Sequence, residues 1–558
     1  MTSKLKIHLA QINPTVGDLD GNAAKILREF AKANEAGCDL AVFSEMTICG
    51  YDAQDLWLKK YFVEAAQDKV AEIIAATKGA KCAILLGSPT IGFNRAKKEI
   101  IHNSAILIED GQVKKIIHKK TLPNFSVFDE ARYFEAATFL SVIEFRGFDL
   151  AILICEDLWD LKNLYLLQEQ VLDAAIALNA SPYSTKKHLA RAKICENFAK
   201  SLGKPLVYVN QVGGQDSLVF DGSSFVLDDE GKEVLRLAEF AEDCGIVEIE
   251  KTGPRHEDEV TQSACSVSVI NSHSVSPRRM TGSSEVERDY LAAVLGLRDY
   301  VQKNGFKKVL LGMSGGIDSA LVATIAVDAL GAENVALYAL PSRFNSETSM
   351  VDALECAKNL GLHLEVISIE KTFEAMLATL GEVSDLTKEN LQSRIRGNIL
   401  MALSNNSGAL LLSTGNKSEL ACGYATLYGD MCGAFNPIKD FYKTRIYELC
   451  AWRNLEKNVI PQNILTKAPT AELRENQKDS DSLPEYEILD QILFSLVEEQ
   501  KSVAEMINAG FEEALVKKVT KLFYSSEYKR KQSCLGPRIS EMAFGKDRRY
   551  PLTNKFTN

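Results

Sequence analysis

Short apolar runs rich in β-branched residues alternate with amphipathic stretches over the first 250 positions. Residues 6–11, 39–44, 81–87, 104–109, 112–118, 150–155, 174–179 and 206–210 have the length and composition of strands. Asp110-Gly111 separates two of them as a hairpin turn. Over 22–34, Ala23, Ile26, Leu27 and Phe30 recur at helical spacing, and 189–202 reads likewise. This pattern predicts a layered α/β domain with some antiparallel pairing.

From 251 to 284 the period fades into a polar, Ser/Thr-rich stretch, which reads as a linker between domains 1–250 and 285–558. A helix opens near Glu285, and βα alternation resumes. Strands are expected at 307–312, 335–340, 364–369 and 409–414, with helices at 318–330, 347–360 and 389–404 between them. Such regularity predicts a doubly wound parallel sheet.

The chain has 558 residues, 46% hydrophobic and 25% charged, the balance of a globular protein of several domains. Sixty-four Lys and Arg against 75 Asp and Glu leave a net charge of −11, which argues against a polynucleotide partner. No apolar run reaches the ~20 residues of a membrane helix. The opening MTSKLKIHLAQINP has no apolar signal-peptide core. Twelve scattered cysteines form no Cys-x-x-Cys pair, so reduced thiols and a cytoplasmic location are expected.

After the strand KKVLLGM comes Ser314-Gly315-Gly316-Ile317-Asp318-Ser319, running into a helix. Two glycines allow a tight turn and close approach of a ligand, while the helix N-terminus and the serine hydroxyls offer donors to phosphate. The Walker lysine is missing. This string resembles the SGGxDS loop of N-type ATP pyrophosphatases, which split ATP between its α and β phosphates. Further segments, ENLQSRIRGNILMALSN at 389–405, LLSTGNKSELACGYATLYGDMCGAF from 411, KAPTAELRENQKDSDSLPEY at 467–486 and EYKRKQSCLGPRIS at 527–540, resemble the NAD synthetases. The resemblance implies that Gly312, Met313, Ser314, Gly315, Gly316, Ile317, Asp318, Ser319 and Thr414 bind ATP. It implies that Asn390, Glu419 and Lys529 contact deamido-NAD, with Lys531 close enough to exchange with Lys529. Asp318 and Glu419 are the implied Mg2+ ligands. Lys443 and Asp430 are implied for phosphate contact and loop ordering. Arg394 and Arg396 read equally well as surface cations.

In the first half, three segments carry complementary chemistry. FSEMTICGYDAQDL places Glu45 at a strand end, HKKTLPNFSVFDEARYF offers Lys119 or Lys120 and then Glu130, and LAILICEDLW ends a buried strand at Cys155. A lysine beside a thiol and a carboxylate favours the thiolate. Strand alternation lets only one lysine of the pair point inward. Glu, Lys and Cys in this order resemble the nitrilase (carbon–nitrogen hydrolase) superfamily, whose Lys-x-x-Leu-Pro spacing selects Lys119. The resemblance implies an αββα sandwich, a Glu45–Lys119–Cys155 catalytic set and glutamine contacts from Phe125, Glu130, Ser181 and Lys187. Phe125 departs from that family's glutamine-using branch, which often has LPNYGVFDE, and lacks the phenolic hydroxyl. Together the two resemblances imply a glutaminase supplying ammonia to an ATP-dependent, Mg2+-assisted amidation of deamido-NAD in a homo-oligomer with an ammonia tunnel. The rivals are amidation of another adenylated carboxylate and a silent nucleotide-binding scaffold.

Overall fold

The computed structural model describes residues 3–254, 263–272, 284–475 and 477–556. The chain divides into two compact units, one of Met1–Gln215 and Val219–Gly282, the other chiefly Ser283–Asn558.

The first unit is built on two sheets. One contains β1 (Lys4–Gln11), β2 (Leu40–Val42), β3 (Ala83–Phe93), β4 (Glu99–Glu109) and β5 (Gln112–His118). The other contains β6 (Ser141–Phe145), β7 (Phe148–Ile154), β8 (Ala174–Asn179) and β9 (Leu206–Asn210). A short hairpin of β10 (Val212–Gln215) and β11 (Leu218–Asp221) follows. Next come β12 (Phe225–Leu227) and β13 (Glu233–Arg236), then β14 (Asp243–Pro254) and β15 (Ser263–Ser272). The first sheet runs β15-β14-β1-β2-β3-β4-β5 and the second β13-β12-β9-β8-β7-β6. Parallel pairs sit centrally (β1–β2–β3 and β7–β8–β9), with antiparallel pairs outside them.

Alternate residues of each strand, such as Leu5, Ile7 and Leu9 of β1 and Leu150, Ile152 and Ile154 of β7, fill one core between the sheets. The opposite face of the second sheet packs on α3 (Leu161–Gln168) and α4 (Lys187–Leu202). On the first sheet lie α1 (Leu19–Glu35) and α2 (Lys60–Ala76). The result is an αββα sandwich.

The linker expectation for 251–284 needs correction. Residues 251–254 finish β14, and β15 pairs antiparallel with it at the sheet edge. The signal was present as Cys265, Val267 and Val269 alternating with serines, an edge strand diluted by small polar residues. Residues 255–262 and 273–283 lie outside the described residues.

Within this unit Arg191 is 2% exposed, and its guanidinium donates to both carboxylate oxygens of Asp221 at 3.0 Å. Removing one partner strands the other charge without water. Asp221→Asn is therefore expected to cost about 3–5 kcal/mol of stability, measured by denaturant unfolding. A shift below 1 kcal/mol would show that the pair is not buried as described.

The second unit has a four-stranded parallel sheet of β16 (Val309–Gly312), β17 (Val335–Ala339), β18 (Leu364–Val366) and β19 (Leu410–Leu411), in the order β18-β17-β16-β19. Its connecting helices include α5 (Glu285–Lys303), α6 (Ile317–Leu330), α7 (Glu347–Asn359), α8 (Glu370–Leu380) and α9 (Asp385–Ser407). The last strand is shorter than the 409–414 run because Leu412 already turns to bridge Phe435. The chain closes with a helical layer around α13 (Tyr486–Val497) and α15 (Glu513–Ser525), reached from α10 (Lys417–Cys422), α11 (Lys443–Arg453), α12 (Gln462–Thr466) and α14 (Val503–Asn508). Among the described residues no helix is long and apolar enough to cross a membrane.

Candidate active sites

In the first unit, Glu45, Lys119 and Cys155 all sit just past strand ends, where the backbone turns out of the sheet. Glu45 follows β2, in a turn so close to β3 that a Cβ on Gly87 would lie 2.4 Å from the Met46 nitrogen and the Ser44 oxygen. Lys119 follows β5 and is 1% exposed, whereas Lys120 turns away to reach Asn163 Oδ1 at 2.9 Å. Burial thus distinguishes Lys119 from Lys120. Its Nζ donates to Glu45 Oε1 at 2.7 Å and to Glu130 Oε1 at 2.9 Å. Asn103 Nδ2 also donates to Glu45 Oε1, and the Ala180 N–H to Oε2. Tyr51 donates its hydroxyl to Glu130 Oε1 at 2.8 Å.

Cys155 caps β7 with φ of 47°, a left-handed conformation unfavourable for a side-chain-bearing residue. The turn is held by Asp157, whose carboxylate accepts the N–H groups of Ile154, Lys120 and Thr121. One side chain thereby ties the thiol's turn to the segment that carries Lys119. A nucleophile on such a bend is presented outward while nearby amides face the reacting carbon.

The electrostatics favour a resting thiol. Burial first, then the charge of Glu45, pushes the Cys155 thiol well above its ordinary value, with Lys119 and Lys187 pulling the other way. Burial works against the Lys119 ammonium, but Glu130 and Glu45 outweigh it and keep the group charged. Burial raises Glu130 to about 7 against the pull of Lys119. A buried cation therefore sits close enough to Cys155 to act on its thiol electrostatically.

The remaining sequence candidates surround this centre. Phe125 is 57% exposed and packs edge-on against Phe128, whose ring also faces Tyr51 and the Lys187 ammonium. Ser181 is buried beside Ala180, its N–H held by Asn210 Oδ1 at 2.9 Å. Tyr51, Asn103 and Asp157 were not singled out from sequence. Only Asp157, two residues past Cys155, had a local cue, since Asp commonly closes turns on backbone N–H groups.

The second unit holds a cleft of about 300 Å³ at the carboxyl ends of β16 and β17. Gly312, Met313, Ser314, Gly316, Ile317, Asp318, Ser319 and Thr414 line it, together with Glu419, Asp430, Lys443 and Lys467. Gly315 shapes the loop without lining the cleft. Its φ is +80°, and a Cβ there would lie 2.1 Å from the Ser349 carbonyl oxygen. Lys467 Nζ donates to the Gly315 carbonyl and to Ser349 Oγ, pinning the loop from outside. The α6 N-terminus follows at Gly316 with no side-chain cap, and its first residues Ile317, Asp318 and Ser319 line the cleft.

Asp318 accepts from Asn416 Nδ2 at 3.0 Å and is paired with the buried Lys443 ammonium. Glu419 forms a reciprocal cap with Asn416 and lies 3.8 Å from Lys443 Nζ. Burial, then the charge of Asp318, lifts Glu419 to about 8, and Lys443 only partly offsets this. Two enclosed carboxylates sharing one lysine form an oxygen donor set short of positive charge, which suits a hard divalent cation.

Asn390 and Lys529 do not line this cleft. Asn390 Oδ1 accepts from Thr426 Oγ1, and Lys529 Nζ donates to the carbonyls of Gly423 and Ala425. Both brace the loop that presents Gly429 and Asp430 to the cleft. Lys531 is exposed. Arg394 is exposed, while Arg396 lines the cleft and donates to the Leu340 carbonyl at 2.9 Å. Lys467 and Asn416 were missed. The Asn-x-x-Glu capping spacing could have found Asn416.

A thiol-carboxylate-ammonium centre on an αββα sandwich, and a pyrophosphate loop on a parallel sheet, define an amide-hydrolysing unit joined to an adenylating one. The carbon-nitrogen hydrolase family matches residues 6–253, and the NAD synthase family matches 290–533. A glutamine-dependent NAD(+) synthetase of Synechocystis sp. is 42% identical over 570 residues, covering 99% of each chain. One from Thermotoga maritima is 40% identical over 579 residues, again covering 99% of each. The solved glutamine-dependent NAD+ synthetase of Acinetobacter baumannii, in complex with ADP, is 38% identical with a TM-score of 0.76 over 100% of both chains. That of Cytophaga hutchinsonii, at 21% identity, shares the fold with a TM-score of 0.81 over 99% of this chain and 98% of its own. The chain belongs to the glutamine-dependent NAD(+) synthetases.

Proposed function

We propose that Cys155, Glu45 and Lys119 hydrolyse glutamine in the first unit and that the SGGIDS cleft of the second uses the ammonia to amidate deamido-NAD at the expense of ATP. The observation that supports this best is the enclosed Glu45–Lys119–Glu130 chain beside the Cys155 thiol, in one polypeptide with the SGGIDS loop. In the glutaminase reaction Glu45 takes the thiol proton as Cys155 attacks the side-chain amide carbon. Lys119 stabilises the oxyanion, and the proton on Glu45 passes to the departing ammonia. Water deprotonated by Glu45 then releases glutamate from the thioester. Glu130 positions Lys119, and Phe125, Ser181 and Lys187 line the approach of glutamine.

In the second unit the carboxylate of deamido-NAD attacks the α phosphorus of ATP, and pyrophosphate leaves. Ammonia then attacks the adenylated carbonyl and expels AMP. The loop Gly312–Ser319 and Thr414 hold the triphosphate, with Glu419 reaching both substrate and metal. Asn390 and Lys529 contact deamido-NAD. Asp318 and Glu419 would hold Mg2+, which offsets phosphate charge when bound. The glutaminase domain runs through β15, beyond residue 250, and the synthetase begins near 285. We also propose a cytoplasmic homo-oligomer, which light scattering on the purified chain would test.

Protein-guided transfer of ammonia makes its own prediction. With unlabelled glutamine and an equal concentration of ¹⁵N-ammonium, the NAD amide is expected to carry mainly the glutamine nitrogen, because delivery raises the local ammonia concentration. Mass spectrometry of the product reads this directly. Label matching the bulk ammonia pool would exclude guided transfer. At the loop, Gly315→Ala meets both a left-handed backbone and the Ser349 carbonyl, and should lower NAD formation from either donor by about 100-fold. Unchanged turnover with ammonium would show that the loop conformation is not needed.

A further inference from the structure

Away from both sites, His8, Glu29 and Cys244 form a buried cluster that neither reaction uses. His8 is on β1, Glu29 on α1 and Cys244 on β14. The strands pair antiparallel with Ala10 opposite Cys244 and Ile246 opposite His8. Those four side chains therefore share one face of the sheet, while Ile7, Leu9 and Val247 point into the inter-sheet core. Glu29 comes from the buried side of α1, next to Ile26, Phe30 and Ala33.

One imidazole nitrogen, one carboxylate oxygen and the thiol sulfur all lie within 4.8 Å of one another. His8 Nε2 and Glu29 Oε2 are 3.4 Å apart. The three residues are 2%, 5% and 6% exposed. Among the described residues, His8 Nδ1 has no hydrogen-bond partner, and His8 Nε2 and Glu29 Oε2 meet each other only at ion-pair distance. Buried polar atoms left in this state cost free energy unless something else satisfies them.

We propose that His8, Glu29 and Cys244 bind a single zinc-class divalent ion. Three different donors at this spacing supply three corners of a tetrahedron, leaving one for water. The nitrogen and sulfur donors favour zinc over magnesium or calcium. On binding, the Cys244 thiol gives its proton to solvent, and the ion takes the place of the direct His8–Glu29 contact. The ion fastens α1 and the late strand β14 to β1, so its role is structural. Lys32 Nζ, 2.8 Å from Glu29 Oε1 and half exposed, is the nearer of two cations that compete with it, Arg28 Nε lying 3.7 Å from the same oxygen.

The test uses the full chain, stripped of metal, in a Cys155→Ala background so that the other reactive thiol gives no signal. Cobalt(II) is titrated optically, and zinc is then added. One equivalent of cobalt is expected to produce a thiolate-to-cobalt charge-transfer band with tetrahedral d–d bands, both erased by zinc. Cys244→Ser should abolish the charge-transfer band. Glu29→Gln should weaken binding by at least the roughly 10-fold that even outer-sphere changes cost. Lys32→Ala alters a solvent-facing side chain, leaves the fold intact, and should tighten binding several-fold. The site is overturned if no thiolate band forms, if the band survives Cys244→Ser, or if Lys32→Ala fails to tighten binding. The cluster would then be an ion pair only. Failure of Cys244→Ser to fold leaves the Lys32→Ala titration to decide. None of these readouts depends on NAD formation, so the proposal stands or falls apart from the catalytic assignment.

Discussion

Cys155→Ala will lose NAD formation from glutamine by at least about 1000-fold, while the ammonium-supported rate stays within a factor of about two. The thiol is the only atom at this turn able to form the thioester, and nothing in the Lys119–Glu45 pair can replace it. Alanine is a fair substitute structurally. Cys155 is only 4% exposed and already left-handed, with φ of 47°, so alanine adds no new backbone strain. Losing one buried sulfur costs about 1 kcal/mol, too little to unfold the unit. Measuring NAD and AMP with deamido-NAD, ATP, Mg2+ and each nitrogen donor decides the matter. Equal loss with both donors would sink the division of labour between the two units. NAD from glutamine at near the wild-type rate would remove Cys155 from the reaction.

Asp318→Asn has the opposite signature, with NAD formation from glutamine and from ammonium falling together by about 100-fold or more. Asp318 lies in the first turn of α6, within the SGGIDS string, and is held by Asn416 and Lys443. Asparagine keeps the shape and can still hydrogen-bond, but halves the carboxylate pair suited to the metal. It also takes away the negative charge that, after burial, does most to raise Glu419. The loss should therefore appear in AMP release as well as in NAD, with excess Mg2+ restoring part of it. An unchanged ammonium-dependent rate would place the adenylation chemistry elsewhere.

The sequence by itself determined the elements and the residue types at their ends. Strand runs such as 150–155 and 174–179 read correctly because a strand buried on both faces must be apolar throughout. Glu45, Lys119 and Cys155 were legible through the resemblance to the nitrilase superfamily, with Glu45 and Cys155 at the ends of patterned strands, and the SGGIDS loop through its resemblance to the ATP pyrophosphatases. The edge strand β15 was hidden, since half-exposed strands tolerate serines that also mark loops. Tertiary structure alone decided what meets what. It turned Lys119 inward and Lys120 out, brought Tyr51 and Asn103 from distant segments onto Glu130 and Glu45, and tied Asn390 to Thr426 and Lys529 to the Gly423 and Ala425 carbonyls. It also placed His8, Glu29 and Cys244 together across more than 200 residues of chain. Local pattern reports the free energy of burying one face of one element. Partnership between distant polar groups depends on strand register and on which helix covers which face, and no periodicity along the chain encodes that.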